Sequence, residues 1–336
     1  MNPDAVRDVT RVPHGSSDDP DVVDFSANTN PRVPDGATDA YANALDDART
    51  YPSEPPAAYR AAAAEFVDCA PAQVVATPGG LAAIRLAVET TVGAGESVLV
   101  PAPSFAEYAR EVRLQGADPA FVAHEAVLDA DPAEHSLAIV CNPNNPTGEC
   151  YDADRLHAFA AACREAGTPL LVDEAFLGFT DRPSLAGTPG VVVARSLTKL
   201  FGLPGLRAGF AVATGRLLEG LVAARRTWNV GQPALDVGTH CLRQREFVAE
   251  TRDRVADERE RLRDVLVERY AVHPSDAPFV LLDVGDRDVD ALVGAVRERG
   301  IAIRDATTFR GLDSHVRVAV RLPDENDRLL EVLADV

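Results

Sequence analysis

The sequence predicts an α/β protein, in which a large domain with a mostly parallel, doubly covered sheet is followed by a smaller α+β domain. Three observations carry this. From about residue 57, short β-branched runs alternate with Ala-rich amphipathic stretches, the pattern of strand–helix–strand units. The runs are apolar nearly throughout, as strands buried on both faces are. After about residue 233 the texture changes to a long charged helical stretch and two further strand-like runs. The expected partition is an N-terminal arm (1–40) packing with the small domain, a large domain (41–232) and a small C-terminal domain (233–336).

The arm is rich in Asp, Pro, Gly, Ser and Asn and reads as irregular, with one short strand at Val22–Phe25. Strands are expected at Val74–Ala76, Ser97–Val100, Leu137–Cys141, Leu170–Val172, Val191–Ala194 and Gly209–Ala213. Helices between them include Leu81–Thr91, Phe105–Leu114, Ala153–Ala166 and Arg216–Arg226. A single helix, rich in Arg and Glu, is expected from Asp236 to about Tyr270. Strand runs at Phe279–Val284 and Val316–Val320 then flank a helix at Val289–Arg299. No internal repeat or low-complexity segment is present.

A net charge of −19 and a pI near 4.7 describe a surface that repels nucleic acid and anionic membranes, so neither is an expected partner. Acidic excess with almost no lysine resembles proteins of salt-loving microbes, where salt screens self-repulsion. The five cysteines, Cys69, Cys141, Cys150, Cys163 and Cys241, form no C-x-x-C pair and no zinc spacing, so free thiols and no metal are expected. The polar start of the chain lacks the apolar segment of a signal peptide. No apolar run approaches a membrane span, and a cytoplasmic location is expected.

Lys199 is the single lysine among 33 Lys and Arg residues. Arginine stays protonated, whereas a lysine amine can lose its proton and attack a carbonyl; a leftover surface lysine is the other reading. The neighbours decide. In open α/β sheets ligands bind beyond the carboxyl ends of the strands, and each strand here ends in chemistry. Val74–Ala76 runs into Thr77-Pro78-Gly79-Gly80-Leu81, a helix N-terminus suited to an anion or a plain turn. Leu137–Cys141 runs into Asn142-Pro143-Asn144-Asn145-Pro146-Thr147-Gly148, a rigid turn that pre-sets Asn145 as a donor. Asp173 follows Leu170–Val172. A buried Asp needs a positive partner, which a pyridinium nitrogen supplies; a helix N-cap or a salt bridge to Arg would also serve. Val191–Ala194 leads to Ser196, Lys199 and then Arg207, whose fork can hold a phosphate. Together these make a site for a phosphorylated pyridine aldehyde.

Asn142–Gly148, Asp173–Phe176 and Ser196–Arg207 resemble, in sequence and in order, the signatures of fold-type I pyridoxal phosphate enzymes of the aminotransferase class. The resemblance spans most of the chain and implies roles. Lys199 would form the Schiff base with the cofactor aldehyde. Asp173 would pair with the ring nitrogen, Asn145 with the phenolic oxygen, and Phe105 would stack on the ring. Gly80, Leu81, Ser196 and Arg207 would hold the phosphate. Tyr51 would reach the phosphate of a neighbouring subunit, so a homodimer with shared active sites is implied. Arg317 would clamp the substrate α-carboxylate; an exposed strand arginine is the other reading. Two features depart from the pattern. Phe176 stands where many aminotransferases carry Tyr, and Gly80-Leu81 replaces acidic or hydroxyl-bearing residues of the phosphate loop.

Within this class the chain is similar to two sister groups, histidinol-phosphate aminotransferases and L-threonine O-3-phosphate decarboxylases of cobalamin biosynthesis. His14-Gly15, Asp24–Pro31, Phe105–Tyr108, Asp173–Phe176 and the Arg317/Arg321 pair look more like the decarboxylase, which forms (R)-1-aminopropan-2-yl phosphate. In both groups the substrate carries a phosphate. Arg321, His14 and the Asn28–Asn30 arm are candidates to bind it, with solvated surface the competing reading for Arg321 and His14. A catalytically inert regulator that binds the cofactor is a third possibility, although such a protein would have no need of the Lys199, Asp173 and Arg207 set.

Overall fold

A computed structural model describes residues 1–336. The strands are β1 (Val23–Asp24), β2 (Val74–Thr77), β3 (Ser97–Ala102), β4 (Asp118–Ala123), β5 (Leu137–Cys141), β6 (Leu170–Asp173), β7 (Val191–Ser196), β8 (Gly209–Val212), β9 (Ala271–Val272), β10 (Phe279–Asp283), β11 (Ile301–Ala302), β12 (Arg304–Asp305) and β13 (His315–Ala319). Seven of them form one sheet in the order β2-β8-β7-β6-β5-β3-β4. All neighbours in it are parallel except β8, which runs antiparallel to both β2 and β7. This is the expected α/β architecture, with one strand reversed.

The apolar runs are buried on both sides because successive side chains take opposite faces. Along β5, Ala138 and Val140 join the core on one face, while Leu137, Ile139 and Cys141 join the core on the other. Along β7, Val191 and Val193 oppose Val192 and Ala194 in the same way. The helices Gly80–Thr91 and Ala153–Ala166 lie against the two faces, one in each core.

A second sheet, β12-β13-β10-β9, is antiparallel throughout. The N-terminal arm reaches it. β1 pairs in parallel with β11, Phe25 N–H donates to the Ala302 carbonyl at 2.8 Å, and Ala319 N–H donates to the Phe25 carbonyl at 2.9 Å. On its other side the arm is tied to the short helix Leu197–Leu200 that follows β7, where Asn30 N–H donates to the Lys199 carbonyl at 2.9 Å. Arg254 donates to Asn30 Oδ1 at 2.8 Å, which adds the long helix Arg245–Leu266 to the same joint.

Several details differ from the sequence reading. The helix expected from Asp236 to Tyr270 is two helices, Gln232–Leu242 and Arg245–Leu266. Short-range bonds from Arg243 N–H to His240 O and from Gln244 N–H to Cys241 O close the first helix before the second begins. β4 lies outside the expected strands; it is an edge strand bonded on one side only, where its Pro119 is tolerated. The helices Ala37–Asp47 and Pro323–Asp335 were also not anticipated. No helix is long and apolar enough to cross a membrane.

Ile139 is fully buried in the interior strand β5. Ile139→Ala should lower stability by about 2–5 kcal/mol, from the lost transfer energy plus an unfilled cavity. Chemical denaturation with an unchanged m-value would measure it.

Candidate active site

The carboxyl ends of β5, β6 and β7 open into a cavity of about 350 Å³, walled on its other side by the arm and by β12 and β13. Lys199, Asp173, Asn145, Ser196, Arg207 and Phe105 line it, and so do Gly80, Leu81, His14, Asn28 and Arg317. Two expected site residues lie elsewhere. Arg321 donates to the Asp24 carbonyl at 3.0 Å and to Glu325 at 2.9 Å, so its guanidinium joins the arm to the helix Pro323–Asp335 instead of facing the cavity. Tyr51 is exposed on the surface, stacked on Trp228 with ring centroids 4.2 Å apart. Asn30, at the edge of the Asn28–Asn30 arm, is buried and spends its amide on Leu200 O and Arg254.

At one end of the cavity is a cradle. Gly79 has φ +87°, and a Cβ there would lie 2.5 Å from Arg207 Nη2, so only glycine lets the guanidinium lie against the loop. The helix Gly80–Thr91 begins at the same point and presents its first-turn N–H groups. A Cβ on Gly80 would be 3.1 Å from Ser196 Cβ, which places the serine across from that N-terminus. Ser196 Oγ also caps the short helix Leu197–Leu200, accepting from Thr198 N–H at 3.4 Å.

In the middle stand Asp173 and Lys199. Asp173 is 5% exposed. One carboxylate oxygen accepts from Ala175 N–H at 3.0 Å and the other from Tyr108 Oη at 2.6 Å. Burial raises its pKa above the usual carboxylate range, and the tyrosine bond opposes that. Lys199 is lowered to about 8, first by burial and then by the positive charges of Arg317 and Arg207.

At the far end, Arg317 is 5% exposed. It donates to Asn145 Oδ1 and, at 3.0 Å, to the Ser26 carbonyl. With its amide oxygen turned toward the guanidinium, Asn28 accepts at 3.2 and 3.3 Å. The guanidinium lies over Phe279 and beside Phe309. Arg304 sits directly opposite Arg317 in the β12–β13 register and also lines the cavity. It donates to Pro13 O and Thr308 Oγ1 at 3.0 and 2.8 Å. Burial lowers the Arg317 pKa to about 9, and Arg304 adds to the shift. His14 completes the wall, with Nε2 3.0 Å from Glu107 Oε1. Arg304, Thr308 and Phe309 went unnoticed in the sequence, because only the strand register brings that segment to the site.

Residues 20–333 match the family model for aminotransferase class I and II. The chain belongs to this family. Pyridoxal phosphate is the cofactor on which such enzymes depend. Histidinol-phosphate aminotransferase 2 of Archaeoglobus fulgidus is 30% identical, over 95% of this chain and 94% of that one. A putative threonine-phosphate decarboxylase of Caldanaerobacter subterraneus is 30% identical over 85% and 83%. A solved structure of histidinol-phosphate aminotransferase from Sinorhizobium meliloti, in complex with pyridoxal-5'-phosphate, superposes with a TM-score of 0.81, at 24% identity over 92% and 90% of the two chains; this likeness concerns the fold.

The residues present fit the cofactor. The Gly79 cradle with Ser196 and Arg207 suits its phosphate, and the buried carboxylate of Asp173 suits a protonated ring nitrogen. Phe176 sits in the wall with its ring edge-on to Phe279 and offers no hydroxyl there, while Asn145 lines the same cavity.

Two outcomes follow. Only a neutral amine attacks an aldehyde. Recapture of pyridoxal phosphate by the cofactor-free protein should therefore speed up with pH and level off above about 8 in stopped-flow absorbance, where an unperturbed lysine would keep rising toward 10.5. Gly79→Ala should displace Arg207 and weaken cofactor retention by roughly tenfold or more, the worth of a charge-assisted hydrogen bond; equilibrium dialysis would measure it.

Proposed function

We propose that the protein decarboxylates L-threonine O-3-phosphate, releasing carbon dioxide and an amino-alcohol phosphate. The observation that carries this reading is the Arg304–Arg317 pair. Like charges directly opposite on neighbouring strands are destabilising. A pair of guanidiniums on one cavity wall, 5% exposed at Arg317, suits a dianion held by two forks. A phosphate monoester is such a dianion near neutral pH. With the phosphate on Arg304, Arg317 and His14, the substrate carboxylate is left unclamped and free to stand across the ring plane. This reading moves Arg317 from the carboxylate, where the resemblance put it, to the phosphate.

Bound pyridoxal phosphate supplies an aldehyde for the substrate amine and an electron-withdrawing ring that takes up the pair released at Cα. The protein's own residues do the rest. Ser196, Arg207 and the N–H groups at Gly80 and Leu81 would hold the cofactor phosphate, Phe105 would flank the ring, and Asp173 would face its nitrogen. Lys199, kept partly neutral by burial, would manage the proton at Cα. In decarboxylation the Cα–carboxylate bond breaks and Lys199 Nζ returns a proton to Cα; in amino transfer the same Nζ removes the Cα proton.

Amino transfer from histidinol phosphate is a second reading and fits the relatives at least as well. The Arg304–Arg317 pair would bind that phosphate too, and would then bind the carboxylates of an oxo-acid acceptor. We also propose that Tyr51, exposed beside Trp228, meets a second copy of the chain in a homodimer.

Incubation of the holoenzyme with L-threonine O-3-phosphate in high salt should release carbon dioxide without forming a keto acid. Amino transfer from histidinol phosphate to 2-oxoglutarate, with no such release, would overturn the decarboxylase in favour of the second reading. Arg304→Gln should lower kcat/KM for the phosphorylated substrate roughly 10- to 100-fold, mostly through KM, with the cofactor absorbance unchanged.

A further inference from the structure

We propose that Tyr108 is a positioning residue for the cofactor ring, acting through Asp173 and Phe105 together. Tyr108 is fully buried in the first turn of the helix Glu107–Leu114, on a different strand–helix unit from Asp173. Its hydroxyl donates to Asp173 Oδ2 at 2.6 Å, and its ring meets Phe105 edge-on, with centroids 5.6 Å apart and planes at 86°. One side chain therefore touches both the carboxylate expected at the ring nitrogen and the aromatic expected beneath the ring.

The contact fixes the carboxylate from both sides. Ala175 N–H, just past the end of β6, holds Oδ1, and Tyr108 holds Oδ2 from the neighbouring unit. A carboxylate bound at each oxygen loses its torsional freedom and presents one orientation to the cavity. Burial keeps the phenol protonated well above its ordinary range, so it acts as a donor at every working pH. That donated bond favours the charged carboxylate, which burial alone would disfavour. Cys141 lies next to Asp173 in the β5–β6 register, but its thiol is directed to the Pro143 carbonyl at 3.3 Å. Tyr108 thus supplies the side-chain donor to this carboxylate.

The inference rests on Asp173 facing the ring nitrogen, and the test separates the two claims. Removing the donor weakens the charged carboxylate and, with it, protonation of the ring nitrogen. A less positive ring makes the conjugated lysine-bound nitrogen more basic. In Tyr108→Phe holoenzyme, the pH titration of the cofactor's visible band should move upward by about one unit. Tyr108→His, which restores an N–H donor, should move it back toward wild type. Ring-nitrogen NMR with 15N-labelled pyridoxal phosphate should report loss of the protonated form in the Phe variant and its return in the His variant. An unchanged titration in Tyr108→Phe, with Asp173→Asn strongly shifted, would overturn this proposal and leave the Asp173 assignment standing. Unchanged titrations in both variants would overturn both. Should the Phe variant fail to fold, Tyr108→Met, which also lacks a donor, decides by the same titration, an upward shift supporting the proposal and a wild-type titration overturning it.

Discussion

The buried guanidinium of Arg317 is the joint at which the parts of this protein meet. It binds Asn145 at the end of β5, Ser26 and Asn28 of the arm, and the aromatic rings of Phe279 and Phe309 beside the second sheet. A charge taken from water must be compensated or it is prohibitively unfavourable. Here the compensation comes from carbonyls, amides and π-faces, with no carboxylate among these contacts. That leaves the positive charge unneutralised, in a cavity where Arg304 adds a second. The absence of a counterion suits the wall to an anion.

The acidic excess of the sequence and the basic character of the cavity are two sides of one distribution. The whole chain carries a net charge of −19, while Lys199, Arg207, Arg304, Arg317 and His14 share one small volume with Asp173. The positive charges of Arg317 and Arg207 are part of why Lys199 loses its proton readily. Lys199 and Arg317 are both lowered there, to about 8 and to about 9, so Lys199 is the first of the two to give up its proton.

Much of this was legible in the sequence because strand ends are local. Asp173, Asn145 and Ser196 each follow an apolar run, and in a parallel sheet such ends converge without knowledge of the register. The two-sided burial of β5 and β7 followed from their unbroken apolar character in the same way. What could not be read were the features that depend on register or on long-range docking. Arg304 reaches the site only because it lies opposite Arg317. Tyr108 reaches Asp173 across two strand–helix units. Arg321 shares the spacing of a strand face with Arg317, but β13 ends at Ala319 and the chain turns into a helix whose Glu325 takes the guanidinium. The break between the helices ending at Leu242 and starting at Arg245 left no proline or glycine to mark it.

The pairing of the arm with the far end of the chain bears on the order in which the protein can assemble. The contact from Arg317 to Ser26 spans 291 residues, and β1 finds its partner only at β11. Closing so long a loop must precede any reward from the contact, which makes such steps late and slow. A nascent chain that has emitted β2 to β8 holds the strands of the large sheet and the ends that carry Asp173 and Lys199. It holds the arm but not yet β12 and β13, which complete the opposite wall. The cavity is therefore among the last features to form, and a chain halted short of β13 would display half a binding site to the solvent.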